Sequence, residues 1–564
     1  VIGMPTAPPQ VDEAAPAPST SDREALARIH AKLIRPLPTD RLRGWLLPLA
    51  VTILAGIARF WRITRPGGHS MTSTKNLIFD ETYYAHDSWT LLHHGVELNG
   101  NQTGPGFVVH PPLGKWMMAV GEALFDHGKT VTLHNTVYPA SPLSFRFTGA
   151  LLGTLAILIV ARVARRMFRS TALGVIAGAL VSLDGLEFVQ SRTAMLDIYL
   201  MFWVLAAFAC LIVDRDDGRR RLAERLTSPL GRHEWGPSLG FRPWRLATAL
   251  CLGAACATKW DGAFYIPAFL ALAIAWDIGA RRTAGVRGDV WSGDLWIVWR
   301  GTLSSGVPAL AAFLLVPAVV YVASWTGWFL SNGHYAYGHD LYVKHGQSWI
   351  AHDWAVFHGW WRYQQQIWGY ANGLTWDKNP HPYLSRPWGW LLMARPVAYY
   401  YQSPHGCGAG TCSQEILGIG NPALWWATIP ALIATAWAWV ARRDWRASAV
   451  LLMFLAGYLP WFREDMHHRV MFLFYMLPEV PFMALAVTFV IGMAIGQRSA
   501  STVRQTIGIS AVAVYLATTT VLFGFFYPVL SAQTITYSQW HERIWLHNCQ
   551  TKPDTHHENA PCWI

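Results

Sequence analysis

Two adjacent carboxylates, Asp80 and Glu81, stand in the segment FDETYYAHDSW shortly after the first long apolar run. Adjacent side chains diverge, so one can take a proton from a reacting hydroxyl while the other orients a substrate or a metal. Acidic pairs are also common on solvated loops, and the pair alone leaves both uses open. The same segment continues to VVHPPLGKWMMAVGEALF, where His110 and Lys115 flank a rigid Pro-Pro pair. That stretch reads as an interfacial helix with Lys115 near headgroup phosphates, although on spacing alone a snorkelling lysine is the simpler account. Arg146 in SFRFTGALLGTL sits at a boundary otherwise poor in Arg, where it fits either a lipid phosphate or a partner in Glu122 or Asp126. Near the end, LPWFREDMHHRVMFLFYMLPEVPF packs Arg463, Glu464, Asp465 and Arg469 into one turn, again a phosphate site or a local ion network.

Other polar groups are weaker. Asp184, Glu187, Arg192 and Asp197 fall within or beside apolar runs and can pair with one another; Lys259 and Asp261 in TKWDG can cap a short hairpin. The segments GHYAYGHD, WRYQQQIWGYANGL and HPYLSRPWGWLL interleave aromatics with His, amides and Arg, the materials of a sugar or peptide cleft, or of an aromatic belt. His339, His345, His352 and His358 lack the compact spacing of a metal site.

These residues need elements to hold them, and composition says which solvent those elements meet. Hydrophobic residues make up 52% of 564 and charged residues only 14%, a balance that excludes a soluble multidomain protein and a disordered chain. The net charge of +11 is not a nucleic-acid footprint, because Arg clusters between apolar runs as orientation signals do. Runs long enough for a hydrocarbon core of about 30 Å lie at 44–61, 146–167, 171–190, 195–213, 301–325, 419–441, 470–493 and 505–528; shorter ones at 244–258, 261–276 and 447–462 bring the total to about eleven. An odd count puts the termini on opposite faces. Arg41/Arg43, Arg162/Arg165/Arg166/Arg169, Arg219/Arg220/Arg221/Arg225, Arg281/Arg282, Arg442/Arg443/Arg446 and Arg498/Arg504 can all be cytoplasmic only with the N-terminus inside.

The expected division is therefore a cytoplasmic tail at 1–43 with a basic amphipathic segment and no signal peptide, the first span and a large external loop at 44–145, and spans two to seven at 146–325. A second external loop follows at 326–418, then spans eight to eleven at 419–531 and an external tail at 532–564. Cys407, Cys412, Cys549 and Cys562 then all lie on the oxidising side, and disulfides Cys407–Cys412 and Cys549–Cys562 are expected, with free thiols or intermolecular pairing as the alternatives. No phosphate-loop motif, dinucleotide fingerprint or solenoid repeat is present, which argues against an ATP-driven pump.

Taken in order, FDE, HPPLGKW, LxDG with QSRxxMLD, TKWDG, HPYxSxPWxW, GNPxxWW and RxMFxFYMLP resemble the protein O-mannosyltransferase family, glycosyltransferase family 39, over about residues 75–490. The resemblance implies an all-α polytopic GT-C fold with interfacial helices in the first loop. It also implies inverting transfer of mannose from a polyprenyl-phosphate-mannose donor to Ser or Thr of a secreted protein, on the outer face of the plasma membrane, near the Sec translocon. Loop 326–418 is too short for the β-trefoil of eukaryotic relatives, so the bacterial, actinobacterial-type branch is implied. On this reading Asp80 is the base and Glu81 its neighbour in acceptor or sugar binding. Arg146, then Lys115, His110, Arg469 and Arg463 face the donor phosphate, and His381, Tyr383, Arg386 and Trp388 line the cleft. No metal is required, stimulation by Mg²⁺ being left open, and no nucleic acid is a partner. A GT-C transferase acting on a glycolipid or lipid A-type acceptor and a lipid-linked sugar flippase are the competing functions.

Overall fold

The computed structural model describes residues 20–287, 295–496, 501–546 and 563. Among them nine helices are long and apolar enough to cross a membrane: α2 (Arg43–Phe60), α5 (Pro142–Phe168), α8 (Leu196–Arg225), α10 (Trp260–Ala284), α11 (Trp296–Ser324), α13 (Pro422–Arg442), α14 (Trp445–Met466), α15 (Leu473–Ile495) and α16 (Thr502–Leu530). The remaining helices of seven or more residues are α1 (Thr20–Leu33), α3 (Glu81–His94), α4 (Leu113–Phe125), α6 (Thr171–Ser182), α7 (Gly185–Ser191), α9 (Pro243–Thr258) and α12 (Trp349–Gly373). Two small antiparallel sheets supplement them: β1 (Thr130–Leu133) with β2 (Thr136–Pro139), and β3 (Val397–Gln402), β4 (Cys412–Gly418) and β5 (Ile535–Thr536) in that spatial order.

Against the expected eleven, length and composition give nine or ten, and the difference lies at two places. The run 171–190 is two helices, α6 and α7, meeting at 66°, and counting this bent pair as one span gives ten. The run 244–258 forms α9, whose 16 residues rise only about 24 Å, short of a hydrocarbon core. The bend has a local cause. Asp184 caps α7 by accepting the Glu187 N–H at 2.9 Å, and its other oxygen accepts the Asn421 N–H at 3.0 Å and the Trp425 indole N–H at 2.7 Å. Glu187 pairs with buried Arg59 of α2, while Arg192 donates to the Ala58, Trp61 and Arg62 carbonyls where α2 ends.

The chain forms two compact units. One comprises the described residues up to Pro36 with Asp214–Arg242 and Ala273–Pro308. Here α1 is tied down: Leu26, Ile29 and Leu33 pack on Leu222, Ala223, Leu226, Ala280 and Ala284, and Arg219 donates to the Lys32 and Leu33 carbonyls at its C-terminus. Arg242 grips the Asp214 carboxylate with two hydrogen bonds, at 3.0 and 2.8 Å.

The other unit holds the rest of the described chain, both long loops included. In the first loop α4 packs closely on α5 and leaves Val120, Leu124 and Phe125 exposed; a Cβ on Gly121 would stand 2.2 Å from the Ser144 carbonyl of α5, so only glycine permits that approach. In the second, 326–418 is occupied by α12 and the β3–β4 hairpin, with Cys407 bonded to Cys412 in the connecting turn. Cys549 and Cys562 lie outside the described residues.

Candidate active site

Asp80 and Glu81 stand at the start of α3, and the backbone sends their side chains to different places. Glu81 is fully buried and spent. Its Oε1 accepts from Arg146 Nε at 2.7 Å and the Ala194 N–H at 3.0 Å; its Oε2 accepts from Arg146 Nη2 at 2.7 Å and the Ile78 N–H at 2.9 Å. The rest of the Arg146 guanidinium donates to the carbonyls of Ile63, Arg65 and Asn76. Arg146 therefore has no donor left for a phosphate, and its expected role is corrected: with Glu81 it fastens the loop to α5 through a bidentate buried pair. The expectation of Glu81 as an acceptor- or sugar-binding group is corrected for the same reason.

Asp80 is different. It is half-buried, and among the described residues its carboxylate accepts one hydrogen bond, a long one, 3.4 Å from the Tyr84 hydroxyl. The preceding residue, Phe79, has a left-handed backbone, φ +49°, and its ring stands edge-on to Tyr399, Phe472, Phe474 and His381 with centroids 5.2 to 6.3 Å away. A bulky residue in that region is strained, and here four rings hold it there. Burial, and then the nearby Asp197 carboxylate, push Asp80 up to about 6, with Lys259 and Tyr84 opposing the shift.

Three groups that the sequence made only structural converge here. Lys259, in the link from α9 to α10, lies 2.8 Å from Asp197 at the start of α8, 3.6 Å from Asp261, and 4.4 Å from the centre of the Tyr475 ring. Tyr475 stacks on Trp461, over which Arg469 also lies. Among the described residues Arg469 has one ion pair, 3.3 Å to Glu464. His110 packs toward Tyr84, and burial together with Lys259, Lys115 and Arg469 holds its imidazole well below the usual range, as the neutral ring. The local signal for Lys259 and Asp197 was present in TKWDG and QSRTAMLD, but nothing in one dimension pairs residues 62 apart.

The other expected residues divide. Lys115 is fully buried between Glu97 at 2.8 Å and Asp87 at 3.4 Å, so it faces no headgroup and is corrected to a strut inside the loop. The Arg463 side chain is exposed, and its one ion pair among the described residues is with Glu464, at 3.9 Å. His381 borders the site through Phe79 and Phe472. Tyr383 lies beside it, with ring centroids 5.7 Å apart. Arg386 instead covers the Trp376 ring and approaches Asp465, with Trp388 exposed beyond it. Segment 374–385 runs along 468–471 through hydrogen bonds from Val470 to Leu374, Trp376 to His468 and Ser385 to Met471, which brings the second loop to Arg469.

Comparison with known proteins gives a consistent picture. Residues 49–326 match the family model described as dolichyl-phosphate-mannose-protein mannosyltransferase, and 356–549 match the C-terminal four TMM region of protein-O-mannosyltransferase. The polyprenol-phosphate-mannose–protein mannosyltransferase of Mycolicibacterium smegmatis strain MKD8 is 37% identical over 518 residues, covering 90% of this chain and 93% of its own. That of Mycobacterium tuberculosis strain CDC 1551 is 38% identical over 520 residues, with 90% and 92% covered. Among solved structures, a chain of the Saccharomyces cerevisiae protein O-mannosyltransferase complex bound to the sugar donor superposes with a TM-score of 0.64 at 15% identity, over 94% of this chain and 95% of that one.

Proposed function

The chain belongs to the dolichyl-phosphate-mannose-protein mannosyltransferase family, and from that premise we propose how its residues carry the reaction. The protein is a multi-pass membrane enzyme of GT-C fold that transfers mannose from polyprenyl-phosphate-mannose to proteins. In the proposed step a Ser or Thr hydroxyl oxygen attacks the anomeric carbon while the bond from that carbon to the phosphate oxygen breaks. The hydroxyl proton passes to Asp80, and the phosphate leaves with the bonding electrons. Attack opposite the leaving group inverts the anomeric centre.

One observation carries the assignment of the base. Of the two neighbouring carboxylates, Glu81 has both oxygens saturated by buried donors, whereas Asp80 accepts only a long hydrogen bond from Tyr84 and has the Lys259 cation nearby. A value near 6 leaves Asp80 ionised at neutral pH yet more basic than an ordinary carboxylate. With Arg146 and Lys115 spent, the leaving phosphate falls to Arg469, with neutral His110 as a hydrogen-bond donor; one well-placed donor of this kind contributes about 3 kcal/mol. Lys259 is a positioning residue that holds Asp197 and tunes Asp80. The scheme routes leaving-group charge through these side chains and calls on no metal. The Arg clusters support a site on the extracytoplasmic face of the plasma membrane, with α9 as a short eleventh span and a secreted, translocon-emerging polypeptide as acceptor.

The test is mannose transfer from a polyprenyl-phosphate-mannose to a Ser/Thr-rich peptide by the purified protein, beside Asp80→Asn, with product anomericity read by NMR. Inverted product from the parent alone is expected. Equal rates from Asp80→Asn would remove the base, and transfer to a glycolipid in place of the peptide would change the acceptor class.

A further inference from the structure

Helix α12 carries a second surface that the transfer reaction does not use. Ile350, Trp354, Phe357, Trp361 and Trp368 recur at spacings of four, three, four and seven, which places them on one stripe of the helix, and each is 40% to 69% exposed. No charged residue falls on that stripe. The opposite face is covered: Val356, Trp360, Tyr363 and Ile367 pack on Val96, Leu98, Val108, Trp325 and Trp328 of the two external loops. At 25 residues the helix is long enough to cross a membrane, yet Asp353, Arg362 and a run of Gln, together with packing on loops, fit a position along a surface instead.

Its height is fixed by contacts to two spans. Trp368 meets Trp260, the first residue of α10, with ring centroids 5.8 Å apart. The Trp260 indole donates to the Tyr321 hydroxyl at 2.8 Å, and that hydroxyl donates to Gln364 Oε1 at 2.6 Å, Tyr321 lying near the end of α11. The C-terminal half of α12 is thus level with the place where two spans leave the hydrocarbon, the layer that indole rings favour.

We propose that α12 is a lipid-docking helix, lying in the headgroup layer with Ile350, Trp354, Phe357, Trp361 and Trp368 inserted among the lipids. Its seating bears on the site, because the Val108 N–H donates to the Tyr363 hydroxyl at 3.0 Å, that hydroxyl donates to the Val108 carbonyl at 3.3 Å, and Val108 is two residues from His110. The bilayer surface then sets the position of one wall of the active site. The inference is independent of which sugar or acceptor is handled.

The test uses the full chain, with its other free thiols changed to Ser, in phosphatidylcholine–phosphatidylglycerol vesicles. A fluorophore is attached at Trp354→Cys or Trp361→Cys, and at Arg362→Cys off the stripe as the control. Strong quenching by lipids carrying a shallow doxyl group at 354 and 361, weak quenching at 362, and protection of the first two from aqueous iodide are expected. Iodide access at 354 and 361 would overturn the proposal. Shielding from both quenchers, with cross-linking between 361 of two chains, would overturn it in favour of a second copy of the protein.

Discussion

At the scale of single residues, the adjacent pair Asp80–Glu81 separates into two jobs, and the separation is testable. Asp80→Asn should cut transfer by about 10²- to 10⁴-fold with the protein still folded, since the base is lost and little else touches it; single-turnover rates with matched melting curves check this. Arg146→Ala should behave in the opposite way. Removing one partner of a buried, bidentate pair leaves Glu81 uncompensated and costs about 3–5 kcal/mol, so its first effect is a fall in thermal stability, with Glu81→Gln similar. A stable Arg146→Ala protein with weakened donor binding alone would restore the phosphate role. The pH profile is the third readout. With Asp80 held near 6, activity should decline as pH falls through about 6, where the base becomes protonated. Lys259→Met removes a cation that favours the ionised form and frees the Asp197 charge, both of which raise Asp80, so the acidic limb should move to higher pH. A limb that stays in place would detach Lys259 from the base.

At the scale of elements, the site is built by packing loop helices against spans rather than by the spans alone. The approach of α4 to α5 at Gly121 illustrates this. Gly121→Ala drives a methyl against the Ser144 carbonyl and should destabilise by about 1–3 kcal/mol, measured by thermal unfolding in detergent, with loss of activity following because α3 and α4 hold Asp80. The sequence supplied the helical runs, the Arg anchors and the shortness of 244–258. It supplied neither the 66° break at Leu183–Asp184 nor the burial of Lys115, since both depend on partners, Asn421 with Trp425 and Glu97 with Asp87, that hydropathy does not register.

At the scale of the whole molecule, orientation is the open physical variable. The turn carrying Arg442, Arg443 and Arg446 and the turn from Cys407 to Cys412 are joined by one span, α13, so they face opposite sides. With the Arg-rich turn inside, an impermeant thiol reagent on intact cells should label Ala409→Cys and spare Arg443→Cys, in backgrounds lacking other reactive thiols. The reverse pattern would invert the molecule and with it the face on which transfer occurs.

What the sequence by itself determined was the solvent of the fold, the ordered motifs of a mannosyltransferase, and the residue types of the site, because composition, periodicity and local spacing are one-dimensional properties. What only the tertiary structure decided was which of those residues remain available. Five guanidinium donors of Arg146 and the ammonium of Lys115 are consumed by carboxylates and carbonyls distant in sequence, while Lys259, Asp197 and Tyr475 gather beside Asp80. A charge in a poorly hydrated interior must be paired, and the pairing is set by which elements meet.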